Sequence, residues 1–306
     1  SSSGWRLWYP GVEKPDDLGN PWSAHSLADN ATATSPTNLN YVIGSENKGP
    51  LLSTTGATGT FNTVDNEGHA AVRITKIAQK DTSLYYVSTK AGLGYTTAYK
   101  NPGVTGVDKW RSPYGDFPIA GVGTDGGVSS VAINPNDENH VIAGSNNGFY
   151  VTTTGPTGFY SVQPPTWNIG SNEDYEVRDI KFISTDTIIA VSGTGSNRLP
   201  NPLGTYGNIW LSVDGGNSWT KSTPAGIDGS GNPVAFEQGN VVVVGFGSAD
   251  TILYVGTGYW DQMDPSTDGQ LWKSTDLGVT WSFVNYGPTG LNGGTTRMPI
   301  YDMDVH

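Results

Sequence analysis

Two ten-residue segments, Trp210-Leu211-Ser212-Val213-Asp214-Gly215-Gly216-Asn217-Ser218-Trp219 and Trp272-Lys273-Ser274-Thr275-Asp276-Leu277-Gly278-Val279-Thr280-Trp281, share one pattern. Both read aromatic-x-Ser-x-Asp-x-Gly-x-x-Trp, and they lie 62 positions apart (274 minus 212). A recurring unit constrains the fold strongly, because each copy is a supersecondary element that buries its apolar face only by stacking on the next. Decayed copies run through Leu52-Ser53-Thr54-Thr55-Gly56 and Val151-Thr152-Thr153-Thr154-Gly155. Upstream of these, Asn40-Tyr41-Val42-Ile43-Gly44-Ser45 parallels His140-Val141-Ile142-Ala143-Gly144-Ser145. A further copy spans Leu84-Tyr85-Tyr86-Val87-Ser88, Gly94-Tyr95-Thr96-Thr97 and Trp110, which makes five units at intervals of roughly 45 to 60 residues.

Within a unit the order of elements is constant. A short apolar strand (128–133, 177–182 or 241–246) is followed by a turn with Pro and Asn chemistry, such as Asn134-Pro135-Asn136-Asp137. A second apolar strand comes next, then one carrying aromatic-x-Ser/Thr, then a tight Asp/Gly turn into a fourth strand that opens on an aromatic. Composition agrees: 42 Gly, 19 Pro and only 14% charged residues disfavour helices, while 10 Trp, 15 Tyr and 8 Phe supply area to bury. Four antiparallel strands at this period predict an all-β chain built from the blades of a β-propeller; a two-sheet sandwich does not require so regular a repeat. The blades are expected at 22–68, 69–126, 127–175, 176–238 and 239–298. Residues 1–21 read as the closing outer strand and entry of a blade, and 299–306 as the first strand of another. This pattern predicts a single propeller segment, incomplete in this chain.

Ser-x-Asp-x-Gly-x-x-Trp is the Asp-box, or BNR, signature, complete at Ser212, Asp214, Gly216 and Trp219 and again at Ser274, Asp276, Gly278 and Trp281. The chain therefore resembles the Asp-box propellers, which include xyloglucanase-type glycoside hydrolases, sialidases and sortilin-type receptors. The resemblance runs over nearly the whole chain at blade level and selects no one of these families. In them the box lies on the edge opposite the usual ligand face, which implies structural roles here. Asp214 and Asp276 would accept backbone N–H bonds, Gly216 and Gly278 would supply unusual φ, and Trp219 and Trp281 would pin the hairpin between blades.

Binding residues are expected on the long loops, which a rigid scaffold displays. The fourth unit carries one at 193–207, with Arg198 and Tyr206. The fifth carries another at 258–269, with Tyr259, Trp260, Asp261 and Asp264. The two rings can stack on a sugar or a protein partner, and the carboxylates can accept hydroxyl bonds. No metal site is expected: Asp261, Asp264 and Asp268 do not match a calcium loop, the four His are not paired at ligand spacing, and there is no Cys. Nothing calls for a cofactor.

Glycoside hydrolysis would need two carboxylates flanking the bond. Asp174, Glu176, Asp179, Glu237, Asp261, Asp264, Asp302 and Asp304 are available, but no spacing selects a pair, so catalytic residues are not assigned. Asp179 and Asp302 occupy matching first-strand positions, as do Arg73 and Arg178, which favours a structural or channel-lining role. Sialidase chemistry is disfavoured: only six Arg are present, and Arg297-Met298-Pro299, which resembles the Arg-Ile-Pro motif of sialidases, departs at its middle position and opens a strand.

A formal charge of -12 leaves no basic stripe for nucleic acid, and no apolar run reaches the length of a membrane span. The expected function is that of a glycan- or protein-binding, adhesion-type module of a larger secreted or cell-surface protein, with further blades or domains of the same polypeptide beside it. The alternative is a glycoside hydrolase of the xyloglucanase type using a pair of groove carboxylates.

Overall fold

The computed structural model describes residues 24–29, 41–45, 50–53, 62–63, 74–80, 84–89, 92–96, 127–156, 158–167, 176–193, 207–222, 224, 226–227, 233–234, 236, 239–246, 251–258, 269–284, 300 and 303. The chain divides into two compact units, 1–113 and 114–306. In the first unit, β1 (Ala24–Asp29), β2 (Tyr41–Ser45), β3 (Pro50–Ser53) and β4 (Asn62–Thr63) pair in that order as sheet 1. Sheet 2 is β5 (Ile74–Lys80), β6 (Leu84–Thr89) and β7 (Gly92–Thr96). Trp110, expected near the fourth strand of that unit, lies outside the described residues.

The second unit holds three four-stranded antiparallel meanders. Sheet 3 is β8 (Val128–Asn134), β9 (Asp137–Ser145), β10 (Gly148–Thr152) and β11 (Tyr160–Val162). Sheet 4 is β12 (Glu176–Phe182), β13 (Ile188–Gly193), β14 (Gly207–Ser212) and β15 (Thr220–Ser222). A small hairpin of β16 (Gly226–Ile227) and β17 (Pro233–Val234) precedes sheet 5, which is β18 (Gly239–Phe246), β19 (Thr251–Thr257), β20 (Leu271–Ser274) and β21 (Ser282–Val284).

Side chains alternate between the faces of a strand, and sheet 4 uses both faces. Ile188, Ala190 and Trp210 enter one core with Ile142, Phe149, Val151 and Trp219. Their neighbours Ile189, Val191 and Ile209 enter a second core with Val242, Leu253, Val255 and Trp272. A strand covered on both sides has no polar face to show, so 188–191 is an unbroken apolar run. The buried indoles are also satisfied as donors: Trp210 Nε1 donates to Ser192 Oγ (3.0 Å), Trp272 Nε1 to Gln270 Oε1 (2.9 Å) and Trp167 Nε1 to Asn146 O (3.1 Å). Phe149 stacks on Trp219 with centroids 3.8 Å apart, which ties sheet 3 to the turn of sheet 4.

The first strand of every sheet carries a bulge at the same register. Pairing skips His25, Thr75, Ser129, Arg178 and Asn240 in β1, β5, β8, β12 and β18, so the position matching Arg178 in β5 is Thr75 and not Arg73, the match that the first-strand sequences suggest. A bulge adds one residue to one strand only and so re-aims side chains locally. The meander then gives each sheet two unlike ends. In sheets 4 and 5 the bulge lies at the end from which segments 194–206 and 258–270 depart, and the Ser-x-Asp-x-Gly-x-x-Trp turns lie at the other.

Candidate functional site at the bulged end

Within each complete Ser-x-Asp-x-Gly-x-x-Trp turn the box residues satisfy one another. Ser212 Oγ donates to Asp214 Oδ1 (2.9 Å), and that carboxylate accepts from Ser218 N (2.9 Å) and Ser218 Oγ (2.6 Å). In sheet 5, Ser274 Oγ donates to Asp276 Oδ1 (2.8 Å), which accepts from Thr280 N (2.8 Å), while Thr280 Oγ1 donates to Asp276 Oδ2. Burial pushes the Asp214 carboxyl up, but the bonds from Ser218 and Ser212 outweigh it and hold the group below its usual range. For Asp276 the hydroxyl and N–H of Thr280 dominate and lower it too. Gly216 and Gly278 sit at φ 92° and 90°, which side chains rarely adopt. Trp219 and Trp281 each donate Nε1 to the carbonyl of that glycine at 3.0 Å and bury their rings in the two cores. Every carboxylate oxygen here is engaged within its own turn, so the turn can fold a hairpin but offers no free acid.

The weakened copy in sheet 3 shows what the carboxylate adds. Thr152 and Thr154 replace Ser and Asp, and their hydroxyls meet at 3.3 Å. Pro156 stands where the others have glycine; Gly155 keeps the positive φ that Gly215 and Leu277 show at the same position, and Gly158 has it as well. Phe159, in the Trp position, is only half-buried. Gly155 N still donates to Asn139 O (2.8 Å), as Gly215 N does to Asp186 O (2.9 Å) in sheet 4.

His140 joins sheet 3 to the neighbouring turn. It is buried, its Nε2 lies 2.8 Å from Gly215 O, and its Nδ1 lies 3.1 Å from Asn134 Nδ2. Asn134 Oδ1 accepts from Asn136 N (2.9 Å), which fixes the amide with its NH2 toward the ring. The ring therefore carries its proton on Nε2 and donates to Gly215 O. No sequence signal marked this residue, since a lone His in a strand has no partner until the sheets are stacked.

The bulged end hands polar groups across to the next sheet. Ser129 Oγ donates to Val177 O (2.8 Å), and Ser130 Oγ donates to the same carbonyl (2.7 Å). Arg178 Nη1 donates to Asn240 Oδ1 (3.4 Å), and Arg178 Nη2 lies 3.8 Å from Glu176 Oε2. Asn240 Nδ2 donates to Gly258 O (2.6 Å) and Ile300 O (3.1 Å). Ser, Arg and Asn share no chemistry that a motif could capture; what they share is the bulge. Beside them, β9 and β10 of sheet 3 join through a two-residue connection, Asn146-Asn147, with Gln163 exposed close by.

Of the carboxylates considered for hydrolysis, Glu176 and Asp179 are described. Glu176 faces Arg178. Asp179 is 1% exposed, takes Ile180 N on Oδ1 (3.1 Å) and Val242 N on Oδ2 (3.1 Å), and so bridges the first strands of sheets 4 and 5. Among the described residues, no group of three or more His, Asp or Glu is placed to hold a metal ion. Tyr259, Trp260, Asp261, Asp264, Arg198 and Tyr206 lie outside the described residues, as do Asp174, Glu237, Asp302, Asp304 and Arg73.

No protein-family model matches the sequence, and no curated protein does. Solved structures do match. An ancestral GH74 enzyme is 15% identical, with a TM-score of 0.52 over 97% of this chain and 34% of its own. The fold is a β-propeller. The described sheets 1 to 5 are numbered below as blades 1 to 5, and the chain spans about a third of the length of that enzyme. Two other matches are a GH74 xyloglucanase from Xanthomonas campestris (13% identity, 88% of this chain and 57% of that one, TM-score 0.35) and YCF48 bound to D1 peptide (14%, 87% and 85%, 0.41).

Proposed function

We propose that this propeller is a binding and adhesion-type module of an exported, larger protein, and that it takes a glycan or a protein partner at the bulged end of its blades. The observation that carries this reading is the contrast in how carboxylates are used. Asp214 and Asp276 are spent inside their turns, Asp179 is sealed between strands, and Glu176 is turned to Arg178. Each of the four is engaged by N–H, hydroxyl or guanidinium groups of its own turn or of the strands around it. Binding then falls to the segments that join β13 to β14 and β19 to β20. There Tyr259 and Trp260 offer stacking faces, Asp261 and Asp264 accept hydroxyl or amide donors, and Arg198 and Tyr206 add donors from the preceding blade. Export is supported by the Asp-box resemblance.

The test is retention of the whole chain on immobilised β-glucans and, in a second arm, capture of surface proteins. Trp260→Ala should lower retention in the arm that binds wild type; equal retention by Trp260→Ala and wild type would remove this site.

A second reading, hydrolysis of a β-glucan, is favoured by the GH74 likeness, which is one of fold alone. Release of reducing ends that vanishes in Asp261→Asn or Asp264→Asn would replace the binding reading with it.

A further inference from the structure

Three contacts at the bulged end obey one rule. A Cβ built on Gly144, in the middle strand of blade 3, would lie 2.5 Å from Val177 Cγ1 in the first strand of blade 4. One built on Gly256, in the middle strand of blade 5, would lie 2.5 Å from Ile300 Cγ2. Between blades 4 and 5 the sizes are exchanged: the middle strand carries Val191, and a Cβ on Gly239 of the first strand would lie 2.7 Å from Val191 Cβ.

These positions are equivalent by register. Gly144, Val191 and Gly256 pair with Ser130, Asp179 and Val241, the residues just after the bulge in their own blades. Val177 and Gly239 are the residues just before the bulge in the following blade. In the first unit Gly44 and Ile74 hold the same two register positions. These four pairs are each one glycine and one β-branched residue, Gly/Ile, Gly/Val, Val/Gly and Gly/Ile, in an order that differs from seam to seam, while the corresponding register positions of β6 and β8 carry Ser88 and Val128.

A polar clamp accompanies two of these seams. Ser129 and Ser130 grip Val177 O, Asn240 grips Ile300 O, and Ile300 N donates to Thr257 O (2.9 Å). The side chain fills the notch and the bulge residue holds the adjacent carbonyl, so the strand is fixed in depth and in register at one point.

We propose that this notch is a size-matched interlock that selects which first strand seats on which blade. The recognised partner is the pre-bulge residue of the neighbouring strand. A middle strand with glycine accepts a β-branched knob, and blade 4, whose notch Val191 fills, accepts only glycine. Two β-branched residues would overlap and two glycines would leave a void, so exchanging neighbours is penalised in both directions. Gly144, Gly239 and Gly256 have ordinary φ, so the penalty is steric.

The test is a double-mutant cycle on the whole chain at the reversed seam. Gly239→Val alone should lower the melting temperature by about 5 °C or more through overpacking, and Val191→Gly alone should lower it through the void. The double variant, which reproduces the arrangement of the blade 3–4 seam, should recover most of the loss. Additive losses in the double variant would overturn the interlock. If Gly239→Val does not fold, Gly239→Ala with and without Val191→Ala runs the same cycle with smaller steps, and absence of rescue there overturns it equally. Gly239→Ala in a background of Val177→Ala should show no coupling, because that residue belongs to another seam.

Discussion

The two ends of blades 4 and 5 solve the same problem in opposite ways. At the turn end, Ser212, Asp214, Gly216 and Trp219 satisfy one another within eight residues, and blade 5 repeats the solution with other loop residues between. At the bulged end, Ser129 and Arg178 send hydrogen bonds to the first strand of the next blade, and Asn240 bonds Ile300 O. A local solution can be written as a motif and copied. A solution shared between blades depends on both partners and drifts, so no motif marks that end. The lesson is that the most recognisable residues of this chain report on how its hairpins fold.

The comparison can be broken by mutation, and the largest effect belongs to the turn end. Trp281→Ala removes a buried ring and its bond to Gly278 O, and should cost about 3–5 kcal/mol by chemical denaturation, as for other buried Trp truncations. A loss under about 1 kcal/mol would show that the turn does not anchor the blade seam. Across the blade, Asp179→Ala strands the buried Val242 N–H and should cost about 1–3 kcal/mol, with Asp179→Asn recovering part of it. Equal stability of Asp179→Ala and wild type would contradict a bridging role.

The acid response tests the turn end. Asp214 and Asp276 are held below their ordinary value of 3.8 in the fold, so their contribution is present above that pH and is lost as pH falls through the folded values. Wild type should therefore lose stability on acidification below about pH 4, and the Asp214→Asn/Asp276→Asn double variant should show a flatter profile there. Parallel profiles would refute the assignment.

The smallest predicted effect is a gain. Leu277 has φ 58° and is exposed, at the position where blade 4 has Gly215. Left-handed backbone is unfavourable for a leucine, so Leu277→Gly should raise stability by up to about 1 kcal/mol, the added freedom of the unfolded glycine offsetting part of the relief. A lower melting temperature would mean that the side chain does more than its exposure implies.

Much of the fold was legible because it is repetitive. Alternation and unbroken apolar runs located the strands, and the Asp/Gly turns located the hairpins. The bulges were not legible, since a bulge is defined by pairing and its occupants are a histidine, a threonine, a serine, an arginine and an asparagine. The interlock was hidden for a related reason: glycine and valine exchange places between seams, so no single column of the repeat is constant. His140 acquires its role only from Asn134 and from a carbonyl in the following blade. Of the site itself, sequence reasoning named loop residues by their chemistry, and the described strands supply the end of the blades from which those loops depart.

The most direct test of the division between ends is one binding series on the whole chain, run on the β-glucan or surface protein that wild type retains. It compares Trp260→Ala and Asp261→Ala with Asp214→Asn and Asp276→Asn, reading affinity and melting temperature together. The account predicts that the loop variants lose affinity about tenfold or more at unchanged melting temperature, while the turn variants melt earlier and bind as wild type does. Loss of affinity confined to the turn variants, with both loop variants binding normally, would contradict it.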